Sequence, residues 1–196
     1  MFQVRIHGRG GQGVVTAAEL LSVAAFRDGL YAQAFPSFGS ERTGAPVVSF
    51  CRIDTAPIRT REPIVEPHAL IVQDVTLVHQ VDLFGGLHHD GFVLVNSSRR
   101  FEELGLADLV HAEDGRHLIT VAATELAREH TGRPVPNAAL LGGFAAQTGA
   151  VSLDSVLLAI GERFSGAVAE GNVRAATHAF AAVSHQEGAL VSVTPD

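Results

Sequence analysis

His7-Gly8-Arg9-Gly10-Gly11-Gln12-Gly13 stands between an apolar run at residues 2–6 and an alanine-rich run at residues 14–27, which closes on Asp28-Gly29. Strand, glycine turn, helix is the reading, and it sets the fold. Four glycines within seven residues let the backbone take positive φ and let a ligand approach the amides closely. The helix behind them offers unpaired N–H groups and a partial positive charge, which suits an anion. Arg9 adds a planar fork matched to phosphate or carboxylate. The spacing Gly8-x-Gly10-x-x-Gly13 also fits the dinucleotide pattern G-x-G-x-x-G. The acidic residue that accompanies that pattern is missing, because the second strand, 31–35, leads into Pro36-Ser37-Phe38-Gly39. Two readings stay open here: an anion cradle, or a tight strand-to-helix turn that binds nothing.

Outward from this turn, short apolar runs alternate with helical periodicity. Strands are predicted at 31–35, 47–53, 69–73, 92–96 and 117–121, and helices at 76–84, 122–129, 138–148, 155–164 and 173–183. Such alternation predicts an α/β domain spanning 1–196 with a mostly parallel sheet and helices on both faces. After Pro134 and Pro136 the chain reads helical throughout, so the C-terminal third is helical and the sheet ends near residue 125.

Composition narrows the chemistry. The 196 residues, 46% hydrophobic and 18% charged, can bury a core without disulfide or metal staples. All 14 basic residues are Arg against 21 acidic ones, a net charge of −7, which argues against a sequence-independent nucleic-acid binder held by a basic face. The absence of Lys removes a Schiff-base lysine and a lysine-bearing P-loop. The single Cys51 cannot form an intrachain disulfide, a Cys-ligated cluster or a Cys-rich zinc site, and its apolar strand pattern reads as a buried, inert thiol. A redox centre must therefore sit in another chain or arrive as an organic cofactor. The start of the chain carries no targeting pattern, and no apolar run reaches the roughly 18 residues of a membrane span, so a cytoplasmic location is expected.

Residues 34–46, Ala-Phe-Pro-Ser-Phe-Gly-Ser-Glu-Arg-Thr-Gly-Ala-Pro, form a shaped loop too rich in Gly, Pro and Ser for helix or strand. In a parallel sheet it falls at the same carboxyl edge as the glycine turn. Ser37, Ser40 and Thr43 offer hydroxyls, Glu41 and Arg42 charge, and Phe35 and Phe38 apolar cover. A solvated crossover with Glu41 paired to Arg42 is the alternative. Asn137, opening a helix, reads as an N-cap. His88-His89-Asp90 has metal-ligand residue types, yet adjacent histidines in a strand or turn point apart, and Gly85-Gly86 and Gly91 mark a solvated turn. Arg99-Arg100 before Glu102-Glu103 reads as a solvated helix start or part of an interface.

Three segments carry a resemblance: Arg9-Gly10-Gly11-Gln12-Gly13 with its helix, residues 31–46, and Asn137-Ala138-Ala139-Leu140-Leu141-Gly142. Together they closely resemble the gamma subunit or domain of 2-oxoacid:ferredoxin oxidoreductases, nearest to the pyruvate type, over almost the whole chain. The resemblance implies a Rossmann-like three-layer fold within a larger enzyme that oxidatively decarboxylates a 2-oxoacid and hands the acyl group to coenzyme A. It implies thiamine diphosphate, Mg²⁺ and 4Fe-4S clusters in alpha, beta and ferredoxin-like delta partners, with ferredoxin or flavodoxin as electron acceptor. This chain has no Gly-Asp-Gly run to begin a thiamine-diphosphate motif, in keeping with that division. By the same resemblance, Gly8, Arg9, Gly10, Gly11, Gln12 and Gly13 contact the coenzyme A phosphates, Asn137 is a possible further contact, and Ser37, Glu41 and Arg42 line the approach to the thiamine site. A free-standing nucleotide or coenzyme A module, and a purely structural subunit, remain the alternatives.

Overall fold

The computed structural model describes residues 1–37, 43–106 and 117–191, with side chains through residue 186. Six strands, β1 (Phe2–Arg9), β2 (Tyr31–Pro36), β3 (Pro46–Asp54), β4 (Ala69–Val72), β5 (Phe92–Asn96) and β6 (His117–Val121), form one sheet in the order β2-β3-β1-β4-β5-β6. β1, β4, β5 and β6 run parallel, and β3 is antiparallel to both β1 and β2. Two antiparallel steps restore direction, so the carboxyl end of β2 shares an edge with that of β1. The sheet is thus mostly parallel, as the alternation predicts, with the β1–β3–β2 meander as its exception.

Five α-helices follow: α1 (Val14–Arg27), α2 (Ala123–Thr131), α3 (Asn137–Thr148), α4 (Leu153–Arg163) and α5 (Gly166–Val191). Their apolar residues meet Val4, Ile6, Cys51, Ile71, Leu94 and Ile119 in one large core on one face of the sheet. The opposite face carries Leu70, Val72, Val93 and Val95, covered by Leu77, Leu83, Leu87, Phe101 and Leu106. Among the described residues that third layer is built from 3-10 turns and loops rather than α-helices. The helix predicted at 76–84 is in fact a single 3-10 turn at Val75–His79. β-branched Val75, Thr76 and Val78 resist a helical χ1, and Asp74 accepts from the Thr76 amide and closes the turn locally.

α3 is buried all round, from Asn137 to Ala145, because it lies between the sheet and α5. Small residues permit that. A Cβ on Gly142 would stand 2.0 Å from the Ala176 carbonyl oxygen on α5. At the edge of the layer the Asp28 carboxylate accepts from Ser152 N–H (2.6 Å), Ser152 Oγ (2.7 Å) and Ser155 Oγ (2.6 Å), tying the end of α1 to the start of α4. None of the described helices is long and apolar enough to cross a membrane.

Two helical glycines should therefore respond oppositely to alanine. Gly142→Ala must push α5 away and is expected to lower the unfolding free energy by about 1–3 kcal/mol. Gly161→Ala, in α4 with open space around the new methyl, should raise it by about 0.5–1 kcal/mol. Urea denaturation midpoints of the two variants check this.

Candidate functional site

β1 does not stop at residue 6, because β3 pairs with it along its whole length, ending at Gly8↔Val47 and Arg9↔Pro46. The glycine turn begins only at Gly10. There the described end of the 34–46 segment is fastened to it, with Gly10 N–H donating to Ala45 O (2.9 Å) and Gly44 N–H to Gly10 O (3.1 Å). The two segments singled out from sequence thus form one structure at the carboxyl edge of the sheet. Ser37 is exposed and donates its backbone N–H to Val48 O (3.0 Å). Glu41 and Arg42 lie outside the described residues.

Glycine is required in this turn for two separate reasons. Gly11 (φ 95°) and Gly13 (φ 76°) sit in the left-handed region that side chains avoid. Gly8 has ordinary φ but no room, since a Cβ there would stand 2.6 Å from Val14 Cγ2. Gly13 starts α1 without any side-chain cap, which leaves the first amides of the helix facing an open cavity of about 430 Å³. Arg9, Gly10, Gly11, the stretch Gly13 to Thr16, Thr43 and Val47 line it. Such a mouth suits an anionic group.

The side chains of the turn are directed inward instead. Asp74, just past β4, accepts at Oδ2 from Arg9 Nε and from Gln12 Nε2, each at 3.0 Å, and at Oδ1 from Thr76 Oγ1 and the Thr76 amide. Arg9 is completed by Thr76 Oγ1 (2.8 Å), Gly44 O (3.0 Å) and Gln80 Oε1 (3.3 Å). Gln12 Oε1 accepts from the Arg9 amide at 2.7 Å. Burial alone would push the Asp74 carboxyl up, but the Thr76 and Gln12 hydrogen bonds and the Arg9 charge outweigh it and hold it below the usual carboxylate range. Sequence reading missed Asp74. The signal was there, since it follows an all-apolar strand whose carboxyl end meets the crevice at which such sheets bind ligands.

Asn137 is displaced from its expected role. Pro136 occupies the N-cap position of α3, and Asn137, one residue inside, is 4% exposed with Oδ1 accepting from the Ala138 amide (2.8 Å). Its amide nitrogen packs beneath the glycine turn, 2.7 Å from where a Gly13 Cβ would lie. Next to the turn, burial and the neighbouring Arg5 charge lower the His7 pKa to about 3, so the imidazole is neutral. Arg5 donates to Leu83 O (2.6 Å) and Gly85 O (2.9 Å) from the same strand.

If Arg9 is a strut, the cycle of Arg9→Ala, Asp74→Ala and their double variant should give a coupling of about 1.5–3 kcal/mol in denaturant unfolding. His7 sets a pH dependence. Its folded pKa lies below its unfolded value near 6.5, so only the unfolded state gains this proton between those limits. Stability should be complete above pH 6.5 and fall below it by up to about 1.4 kcal/mol per pH unit from this group. His7→Gln should flatten that slope in unfolding curves taken between pH 7 and 5.

The sequence matches the family model described as pyruvate ferredoxin/flavodoxin oxidoreductase over residues 3–182. It is 48% identical over 180 residues to the pyruvate/ketoisovalerate oxidoreductases common subunit gamma of Thermococcus kodakarensis, covering 92% of this chain and 96% of that one. Among solved structures, pyruvate oxidoreductase subunit PORC of Thermotoga maritima matches with a TM-score of 0.79 and 34% identity, over 92% of this chain and 95% of that one. The fold alone recurs, at 14% identity and a TM-score of 0.72, over 94% of this chain and 31% of the 2-oxoglutarate:ferredoxin oxidoreductase chain of Magnetococcus marinus, solved with 2-oxoglutarate, coenzyme A and succinyl-CoA bound. With a family match over most of its length and relatives of equal extent, the chain belongs to the pyruvate ferredoxin/flavodoxin oxidoreductase family.

Proposed function

We infer that this chain is the gamma-type subunit of a 2-oxoacid:ferredoxin oxidoreductase of the pyruvate class, acting in the cytoplasm, and that its glycine turn receives a phosphate of coenzyme A. The observation that carries the second part is the uncapped start of α1 behind Gly10, Gly11 and Gly13, opening on a cavity next to Thr43. Arg9 and Gln12, both committed to Asp74, shape the turn, so backbone amides take the anion. The oxidoreductase of Magnetococcus marinus with this fold was solved with coenzyme A bound, in keeping with such a role.

The chemistry of oxidation belongs elsewhere in this reading. Thiamine diphosphate supplies the carbanion chemistry when bound, and the single cysteine here does not fit a cluster. Cys51 is fully buried in β3, and burial pushes its thiol up to about 12, the opposite of a cluster ligand. Thiamine diphosphate, Mg²⁺ and 4Fe-4S clusters are assigned to alpha, beta and delta partners, which pass electrons to ferredoxin or flavodoxin. Since the Thermococcus relative is described as common to pyruvate and ketoisovalerate oxidoreductases, the 2-oxoacid side chain is read by those partners.

Thr16→Glu is the test, because Glu at the third helical position supports the helix while placing a carboxylate at the cradle. In the assembled enzyme the KM for coenzyme A should rise tenfold or more, a loss of about 1.4 kcal/mol of binding, with assembly and thermal midpoint unchanged. An unchanged KM would make the turn a structural element only. Oxidation of a 2-oxoacid by the isolated chain would overturn the division of labour.

A further inference from the structure

At the amino edge of the parallel strands, opposite the glycine turn, the sequence His88-His89-Asp90 forms the turn entering β5. Adjacent histidines would point apart in an extended strand, yet here the rings of His88 and His89 lie side by side, with centroids 4.6 Å apart. The His88 Nδ1 also meets Asp90 Oδ1. One ligand atom from each of the three residues falls within 4.8 Å of the others. Bonds of about 2.0–2.2 Å to one divalent ion would place donors roughly 3.4 Å apart, a contraction that rotation of exposed side chains supplies.

The turn is held in shape by contacts other than these three side chains. His88 N–H donates to Pro67 O (3.0 Å) and Gly91 N–H to His88 O (3.0 Å), while Leu87 is buried in the core of that face. The His68 ring stacks on His88 with centroids 5.3 Å apart, bracing it. A Cβ on Gly91 would lie 2.6 Å from Leu87 Cδ1 and 2.9 Å from the His88 carbonyl oxygen, so the turn is tightly packed at this glycine. The donor set is thus presented by a fixed backbone before any ion arrives.

We propose that His88, His89 and Asp90 form a surface site for a divalent transition ion. Two imidazoles and one carboxylate are borderline ligands that suit zinc, nickel or cobalt better than magnesium or calcium. The ion bridges His88 and Asp90 in place of their direct contact, and its remaining positions are filled by water. The site lies away from the glycine turn and stands independently of the proposed function.

Isothermal titration of the chelator-treated full chain with Zn²⁺ tests this. One equivalent should bind, His89→Ala and Asp90→Asn should each weaken binding about 10-fold or more, and His178→Ala, in the separate His130–His178 pair, should leave it unchanged. Zinc should raise the melting temperature of the parent chain and not of the His89→Ala or Asp90→Asn variants, whose metal-free melting should match the parent. Absence of uptake, uptake that survives either substitution, or uptake lost with His178→Ala overturns the assignment.

Discussion

The carboxyl edge of this molecule is organised around one carboxylate. Asp74 gathers Arg9 from the end of β1, Gln12 from the glycine turn and Thr76 from the turn after β4, so the ends of the neighbouring parallel strands β1 and β4 are closed on each other. That crevice is the place where strand order reverses and where open α/β sheets commonly take a ligand. Here it is filled by an ion pair with hydrogen bonds. What remains open is the other side of the glycine turn, between the start of α1 and the start of β3. A buried or half-buried ion pair of this kind fixes geometry more surely than it adds stability.

That closure rests on a sheet face that is polar at its centre. Arg5 and His7 occupy alternate positions of β1 and point away from the helices, where Arg5 is held by main-chain carbonyls and His7 by burial alone. Irregular segments can supply such carbonyls, whereas a helix has already used its own. This gives a physical reason for the asymmetry of the layers, with α-helices packed on the apolar face and turns covering the mixed one.

Much of the fold could be read from residue order. Short apolar runs located each strand, aliphatic in β4 and β5 and built on Tyr31, Ala34 and Phe35 in β2, and Gly, Pro and Asp marked many of their ends. The reading failed where local propensity was overruled. Residues 76–84 have apolar spacing that a helix would satisfy, but β-branched side chains and the Asp74 cap stop it after one turn. Pro136 takes the capping position expected of Asn137, and Asn137 goes instead beneath Gly13. His88 and His89 stand in the turn that the flanking glycines mark, but their rings come side by side instead of pointing apart.

The sequence by itself determined the class of fold, the glycine turn as the candidate site, and the exclusion of lysine and cysteine chemistry. Those follow from residue type and spacing, which are local. Only the tertiary structure decided what Arg9 and Gln12 do. Their partner lies more than sixty residues away, just past a strand brought alongside by the sheet, and a side chain that could grip a ligand is held by Asp74 before one arrives.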